Sequence, residues 1–374
     1  MSTQWDIDEI AGLCLAIQGV PAPTFAEHER AEFVSAQFRR LGLEVEVDDT
    51  PNVYARVKGT SDGPGLMVSA HLDTVFPQET DLSNRREGNR LYGPGIGDNS
   101  LGLAGLLTLA HKLAGEEKPP ACDVWFVANA GEEGLGDLKG MRRALDRLGT
   151  QVKGCIVLEG SAANPWPLTH RGLGVRRYKI EAQAQGGHSW GAFGEPSAIH
   201  ILVRIASLIT RWKVPQLPRT TFNIGVIEGG TSVNTIAEHA SMLLDLRSED
   251  RGELARLITR TEELVAAADA IGDAQVTATV VGDRPAGEIP ADHPLVLAAS
   301  RILEDLGVCP EDIRCTIGST DANIPLSRGL PAITLHLAEG HDVHRLGEWL
   351  SLNLLPTGMT LAWQLMQWAI AGGL

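Results

Sequence analysis

Short apolar runs alternate with segments of helical period along most of the chain, and that alternation narrows the choice of fold more than any other feature. GLMVSA (65–70), DVWFVANA (123–130) and CIVLEG (155–160) read as buried strands. LGLAGLLTLAHKLAG (101–115) and DLKGMRRALDRLG (137–149) read as helices between them, after an earlier helix over 26–42 that stops at Gly42. Such alternation makes a sheet with substantial parallel character and helices on both faces. Near residue 175 the rhythm changes. Strands at 175–185, 220–230, 238–248 and 274–283 enclose helices at 197–210 and 251–272, the βαββαβ order of a ferredoxin-like sandwich. The first rhythm then returns, with a helix near 294–306, a strand at 331–337 and a last helix at 348–371. The expected fold class is α/β. A mixed, mostly parallel sheet domain (1–174 and 285–374) is interrupted by a smaller ferredoxin-like α+β domain over 175–284. The 374 residues suffice for one large domain and one inserted domain.

A formal net charge of −15 repels phosphate backbones and argues against a nucleic-acid partner, and more weakly against anionic membranes. The N-terminus, MSTQWDIDEIAGLCLAIQGV, is acidic and lacks the basic start and apolar core of a signal peptide. No apolar run approaches the roughly 18–20 residues that span a bilayer. A cytoplasmic protein without a membrane partner is expected. Cys14, Cys122, Cys155, Cys309 and Cys315 are scattered, odd in number and without a CxxC pair. They indicate neither a disulfide framework nor a thiolate zinc site and read as buried small apolar side chains.

In open α/β sheets, ligands bind beyond the carboxyl ends of the strands. Here those ends are rich in His, Asp and Glu. GLMVSA runs into His71 and Asp73, which share a side in an extended segment, so Asp73 can hold the His71 imidazole. GPGIGDNSLG places Asp98 after a glycine-rich turn and ahead of a helix; DVWFVANA ends in Glu132 and Glu133, and CIVLEG in Glu159. AEGHDVHRLGEW carries His341 and His344. Taken singly, Asp98 could cap its helix, the Glu doublet could be solvated and His71 could be a core histidine. An unpaired carboxylate at a buried strand end such as Glu159 is costly. Successive strand-to-helix junctions that each supply a nitrogen or carboxylate point to a metal centre instead. Two imidazoles with three carboxylates suit a pair of zinc-type ions, one carboxylate bridging metals roughly 3.5–4 Å apart. Magnesium would prefer oxygen and water alone. Within the Glu132–Glu133 doublet, one side chain can ligate while the other takes a proton from the attacking water. No GxSxG elbow and no reactive cysteine context supports a serine or cysteine nucleophile.

The segments SAHLDTVFP, GPGIGDNSLG, NAGEEG, VLEG, GGHSWG, EGGTSVNTIAEHASMLLDLRS, GSTDANI and HDVHRLGEW, in this order and spacing, resemble the two-zinc exopeptidase and deacylase family. That family includes peptidase T, carboxypeptidase G, aminoacylase and succinyl-diaminopimelate desuccinylase. The resemblance implies that His71 and Glu159 bind one zinc, that Glu133 and His344 bind the other, and that Asp98 bridges them, with cobalt or manganese as substitutes. It implies Glu132 as general base and Asp73 as the residue orienting His71. His188 of GGHSWG resembles the histidine that stabilises the oxyanion. Asn234 of GGTSVN and Arg247 of DLRS resemble substrate-binding residues, Arg247 being suited to a carboxylate. GSTDAN resembles a supporting turn through Thr320, Asp321 and Asn323. Arg345 follows His344 where the family usually has Thr or Ser; His344 rather than His341 is taken as the ligand because its distance to Glu348 matches the family spacing. His170, His239 and His336 read as structural or surface residues. The implied function is metal-dependent hydrolysis of an amide bond in a small peptide or N-acyl amino acid. Glu rather than Asp at position 159 favours a carboxypeptidase or deacylase; an aminotripeptidase similar to peptidase T is the alternative. A non-catalytic binding relative is opposed by the intact Glu132 and complete ligand set. The resemblance also implies a homodimer through the inserted domain, with His188 completing the neighbouring chain's site.

Overall fold

A computed structural model describes residues 4–163 and 166–374. The chain divides into two compact units, one running to Gly172 and resuming at Gly287, the other being Leu173–Ala286.

At the centre of the first unit, strands Val124–Asn129, Gly65–His71, Val152–Ala162 and Ala332–His341 lie side by side and parallel. Gly65–His71 and Val124–Asn129 are buried along their whole length. That is why their sequences are unbroken apolar runs and not period-two alternations. Antiparallel strands extend this centre: Val53–Val57 and Glu44–Val47 on one side, and Trp349–Ser351, Arg90–Tyr92 and Arg85–Glu87 on the other. The sheet is mixed, parallel in the middle and antiparallel at its margins. Helix Leu101–Ala114 is apolar on nearly every side because it is wrapped on nearly every side; Leu103, Ala104, Leu106, Leu107, Leu109 and Ala110 are all buried. Helix Leu355–Trp368 lies so close to strand Ala332–His341 that a Cβ at Gly358 would strike the Leu337 carbonyl.

The last helix is shorter than its pattern suggests. In place of a helix from 348, Trp349–Ser351 forms a strand that pairs with Gly340–His341 and with Leu91–Tyr92, and the helix begins at Leu355. Pro356 explains the boundary: it has no N–H and fits only the first helical turn. Two cysteines also differ from expectation. Cys14, Cys122 and Cys155 are buried, but Cys309 and Cys315 are exposed. Cys309 precedes the single turn Pro310–Asp312, and Cys315 sits on Arg314–Gly318, which among the described residues pairs with Pro167–Gly172 alone.

In the second unit, strands Thr220–Gly229, His239–Ser248, Gly174–Gln183 and Gln275–Arg284 follow one another across an antiparallel sheet. Tyr178, Ile180, Ala182, Met242, Leu244 and Leu246 form a separate core with helices Ala198–Ile209 and Arg251–Ala270. By the two-residue period of a strand, Arg177, Lys179, Glu181, Asp245 and Arg247 take the opposite face. Asp250 caps the second helix, accepting the Glu253 N–H at 2.8 Å. This is the ferredoxin-like βαββαβ order expected from the sequence. Among the described residues, no helix is long and apolar enough to cross a membrane.

Candidate metal centre

Because the four central strands are parallel, their carboxyl ends share one edge of the sheet. His71 is the last residue of its strand, and Glu159 lies near the end of Val152–Ala162. Glu132 and Glu133 follow Val124–Asn129, and His344 follows Ala332–His341 with φ +68°. The glycine-rich loop ahead of helix Leu101–Ala114 adds Asp98.

The two oxygens of Asp98 face different imidazoles. His71 Nε2 is 3.0 Å from Asp98 Oδ1 and 3.5 Å from Glu159 Oε2. His344 Nε2 is 3.1 Å from Asp98 Oδ2 and 3.1 Å from Glu133 Oε1. Donors held about 2.0–2.1 Å from a tetrahedral ion lie about 3.3 Å from each other, so these spacings suit a zinc-sized cation. Asp98 Oδ1 is buried and has no hydrogen-bond partner among the described residues. Donor atoms of His71, Asp98 and Glu133 all lie within 4.8 Å of one another. The nitrogen and carboxylate donors present therefore fit a divalent metal.

The electrostatics agree with the distances. Burial drives the His71 pKa down, but Glu159, Asp73 and Asp98 overcome it and hold the imidazole well above its ordinary value. Hydrogen bonds to Asp98 and Glu133 lift His344 to about 10. Burial works to raise Asp98, yet the two imidazoles hold it well below the carboxylate range. Burial raises Glu133, as does Asp98; burial also raises Glu159, offset only in part by His71. The cluster draws positive charge to itself, and a bound cation would displace the protons that supply it.

Asp73 supports the site through both its backbone and its side chain. His71 Nδ1 is 3.0 Å from the Asp73 backbone carbonyl, which fixes the ring proton there and leaves Nε2 as the donor atom. The Asp73 carboxylate lies 3.6 Å from Nδ1, longer than a hydrogen bond but within ion-pair reach of the ring. It accepts the N–H groups of Glu132 and Glu133, each at 2.9 Å, and the Thr24 hydroxyl at 2.9 Å.

Two supporting residues were not anticipated. Asn99 brackets Glu159, accepting the Gly160 N–H and donating to the Leu158 carbonyl, both at 2.9 Å. The Glu348 carboxylate accepts the N–H groups of Gly95, Gly97 and Asp98 at 2.8–2.9 Å. Burial and Asp98 push its pKa up to about 7 against the pull of those donors. Asn99 stood beside Asp98 in the sequence, and Glu348 four residues beyond His344, as the available signals. Other candidates lie beside the cluster. His341 stacks on Trp349 with ring centroids 4.9 Å apart, its Nε2 3.3 Å from Glu339. Asp321 accepts the Asn129 amide at 2.7 Å and is pushed up to about 7 by burial, against His71 and Asn129. Asn323 accepts the Thr320 N–H at 3.1 Å, and the Thr320 and Thr334 hydroxyls pair at 2.8 Å. The Thr320–Asn323 turn is thus braced against two of the central strands.

In the second unit, a two-residue ladder pairs Gly187–His188 with Thr235–Ile236 and brings GGHSWG beside GGTSVN. His188 and Asn234 both line a pocket of about 360 Å³ with Gly230, Thr231, Glu238 and His239. His188 Nδ1 accepts the N–H groups of Trp190 and Gly191 at 3.2 and 3.3 Å, so the neutral ring carries its proton on Nε2. Asn234 Oδ1 accepts the Ser232 hydroxyl at 2.8 Å. Arg247 is not among the residues of that pocket; its Nε donates to Asp245 at 2.7 Å, and Asp245 also accepts Arg177 Nε at 2.9 Å.

The profile of peptidase family M20/M25/M40 matches residues 67–367. An uncharacterized Bacillus subtilis protein, YqjE, is 26% identical over 365 residues, covering 91% of this chain and 93% of its own. A putative succinyl-diaminopimelate desuccinylase of Mycobacterium tuberculosis is 26% identical, covering 86% and 87%. Among solved structures, a tripeptidase from Staphylococcus aureus has a TM-score of 0.80 at 21% identity, over 98% of this chain and 99% of its own. Aminopeptidase PepT from Bacillus cereus has a TM-score of 0.77 at 22% identity, over 98% and 99%. YXEP of Bacillus subtilis, a dinuclear metal-binding peptidase, has a TM-score of 0.72 at 17% identity, over 98% of each chain. The chain belongs to peptidase family M20/M25/M40.

Proposed function

We infer from this family membership and from the site that the protein is a two-metal hydrolase of amide bonds in small peptides or N-acyl amino acids. The observation that carries the reading is the pair of donor sets that share Asp98, one through each carboxylate oxygen. His71 and Glu159 would hold one ion, Glu133 and His344 the other. Zinc suits these nitrogen and carboxylate donors, with cobalt or manganese as substitutes. Bound there, the ions would supply a Lewis acid that makes a water molecule acidic enough to attack at neutral pH. Glu132, aligned through its own N–H by Asp73, takes the proton of the attacking water and returns it to the leaving amine. His188 donates a hydrogen bond from its Nε2–H to the developing oxyanion. Asn234 and Arg247 hold the substrate's free carboxylate, with Asp245 orienting the arginine.

Glu at position 159 and an arginine suited to a carboxylate favour a carboxypeptidase or an N-acyl-amino-acid deacylase. The fold is also that of a tripeptidase and of aminopeptidase PepT, so tripeptide cleavage is the second reading. A homodimer is part of the proposal. Strand Thr220–Gly229 is an edge of its sheet and exposes Val226 and Ile227, and helix Ala198–Ile209 exposes Val203 and Leu208. Trp190, Phe193 and Val233, close in sequence to His188 and Asn234, are 88%, 90% and 103% exposed, as expected of apolar residues that a second chain would cover.

Glu132→Gln should keep its metal and lose turnover by about 100-fold or more, since it removes a base and no ligand. Glu133→Gln should instead lose metal, read by metal analysis after dialysis; reversed phenotypes would exchange the roles of the two residues.

A panel of N-acetyl amino acids, N-carbamoyl amino acids, dipeptides and tripeptides should be cleaved at the first and third classes ahead of tripeptides. Arg247→Ala should lower kcat/KM by roughly 10- to 100-fold for substrates with a free carboxylate and much less for their amides. Preferred release of an N-terminal residue from tripeptides would select the second reading, and equal losses on acids and amides would make Arg247 structural.

Glu132→Gln and His188→Ala, each nearly inactive alone, should regain activity when mixed and re-associated. Random pairing makes about half the dimers mixed and about a quarter of all sites intact. Subunit exchange without recovery would show that His188 does not serve the neighbouring chain.

A further inference from the structure

The loop that delivers Asp98 is wrapped around a carboxylate from the loop that delivers His344. Glu348 Oε2 accepts the Gly95 N–H at 2.9 Å; Oε1 accepts those of Gly97 at 2.8 Å and Asp98 at 2.9 Å. Glu348 itself is fully buried. Backbone N–H groups that converge on one anion form a nest, and here the anion belongs to the same fold. Two glycines permit the close approach. Gly95 has φ +74°, and a Cβ at Gly97 would lie 3.1 Å from Glu348 Oε1 and press on Ser161. The backbone of Glu348 is tied as well: its N–H donates to the Arg345 carbonyl at 3.1 Å, and its carbonyl accepts the Gly93 N–H at 3.0 Å. One imidazole-bearing segment thus grips the loop whose carboxylate serves both imidazoles.

We propose that Glu348 is a positioning residue that fixes Asp98 between His71 and His344 and so sets the affinity of both metal sites together. The inference rests on the two-metal reading. Asp98 meets the imidazoles at 3.0 and 3.1 Å, and its own peptide N–H is one of the three that Glu348 holds. Without that carboxylate, three N–H groups lose their acceptor and the loop must move to find others. A shift of the loop carries both oxygens of Asp98 with it. Glu159 offers a contrast, because its carboxylate meets the His71 imidazole, at 3.5 Å from Nε2, and belongs to one donor set only.

The test is a zinc titration of metal-free protein against a chromogenic chelator, with folding followed by circular dichroism and thermal melting. In Glu348→Ala both binding steps should weaken by about 10- to 100-fold, the range for partners that orient metal ligands. Glu348→Gln should show a smaller loss in both steps, since its oxygen still accepts from Gly97 and Asp98 while its amide opposes the Gly95 N–H. Glu159→Gln should weaken one step alone. A lowered melting temperature with both zinc affinities unchanged would make Glu348 merely structural and overturn the proposal. Weakening of a single step in the Glu348 variants would overturn it too. If the alanine variant fails to fold, the glutamine variant decides on the same criteria. Wild-type protein that takes up no zinc would overturn the two-metal reading, and this inference with it.

Discussion

Three carboxylates, Asp98, Glu133 and Glu159, converge on two imidazoles at one edge of a buried sheet, and much of the surrounding structure answers to that crowding. Burial and the nearby Asp98 carboxylate together oppose the ionisation of Glu133 and Glu348, and both are raised. The chain meets the cost in two ways. His71 and His344 are drawn towards their charged forms. Backbone N–H groups are turned towards two further carboxylates: Asp73 takes those of Glu132 and Glu133, and Glu348 those of the Asp98 loop. Asn99 then brackets Glu159. Each ligand-bearing segment holds the next, so the loops need no regular secondary structure to keep their geometry.

The same principle explains what could be read from the sequence. The parallel centre was legible because strands buried on both faces must be apolar throughout, and the polar residues that interrupt those runs mark the ligand edge. The antiparallel margins were not. Arg85–Glu87 and Arg90–Tyr92 are three-residue strands held by pairing and by arginine–aromatic stacking, Arg85 on Tyr92 at 4.1 Å and Arg90 on Trp349 at 4.3 Å. They leave no apolar period to detect. The misplaced start of the last helix had a visible signal in Pro356, which apolar periodicity outweighed. The Asp73 side chain stands beside His71, as its place two residues on suggests, but its hold on the Glu132 and Glu133 N–H groups left no trace in the sequence.

Glu348 shows a different limit. A carboxylate that accepts backbone N–H groups has no partner residue type to search for, and the peptides it holds lie 250 to 253 residues earlier. The second unit repeats the lesson on a smaller scale. Its four long strands alternate strictly enough to be read, but the two-residue ladder that sets His188 beside Asn234 is too short to carry a pattern. Motifs named the residues there; only the pairing explains why they share a pocket.

We propose that this donor set works as a two-ion catalyst of amide hydrolysis. The most direct measurement is metal content against turnover on an N-acetyl amino acid or dipeptide, in one preparation taken through chelation and reloading. Active protein should hold two ions per chain, lose turnover once both are removed, and recover it with zinc, cobalt or manganese. Full turnover in rigorously metal-free protein would contradict it.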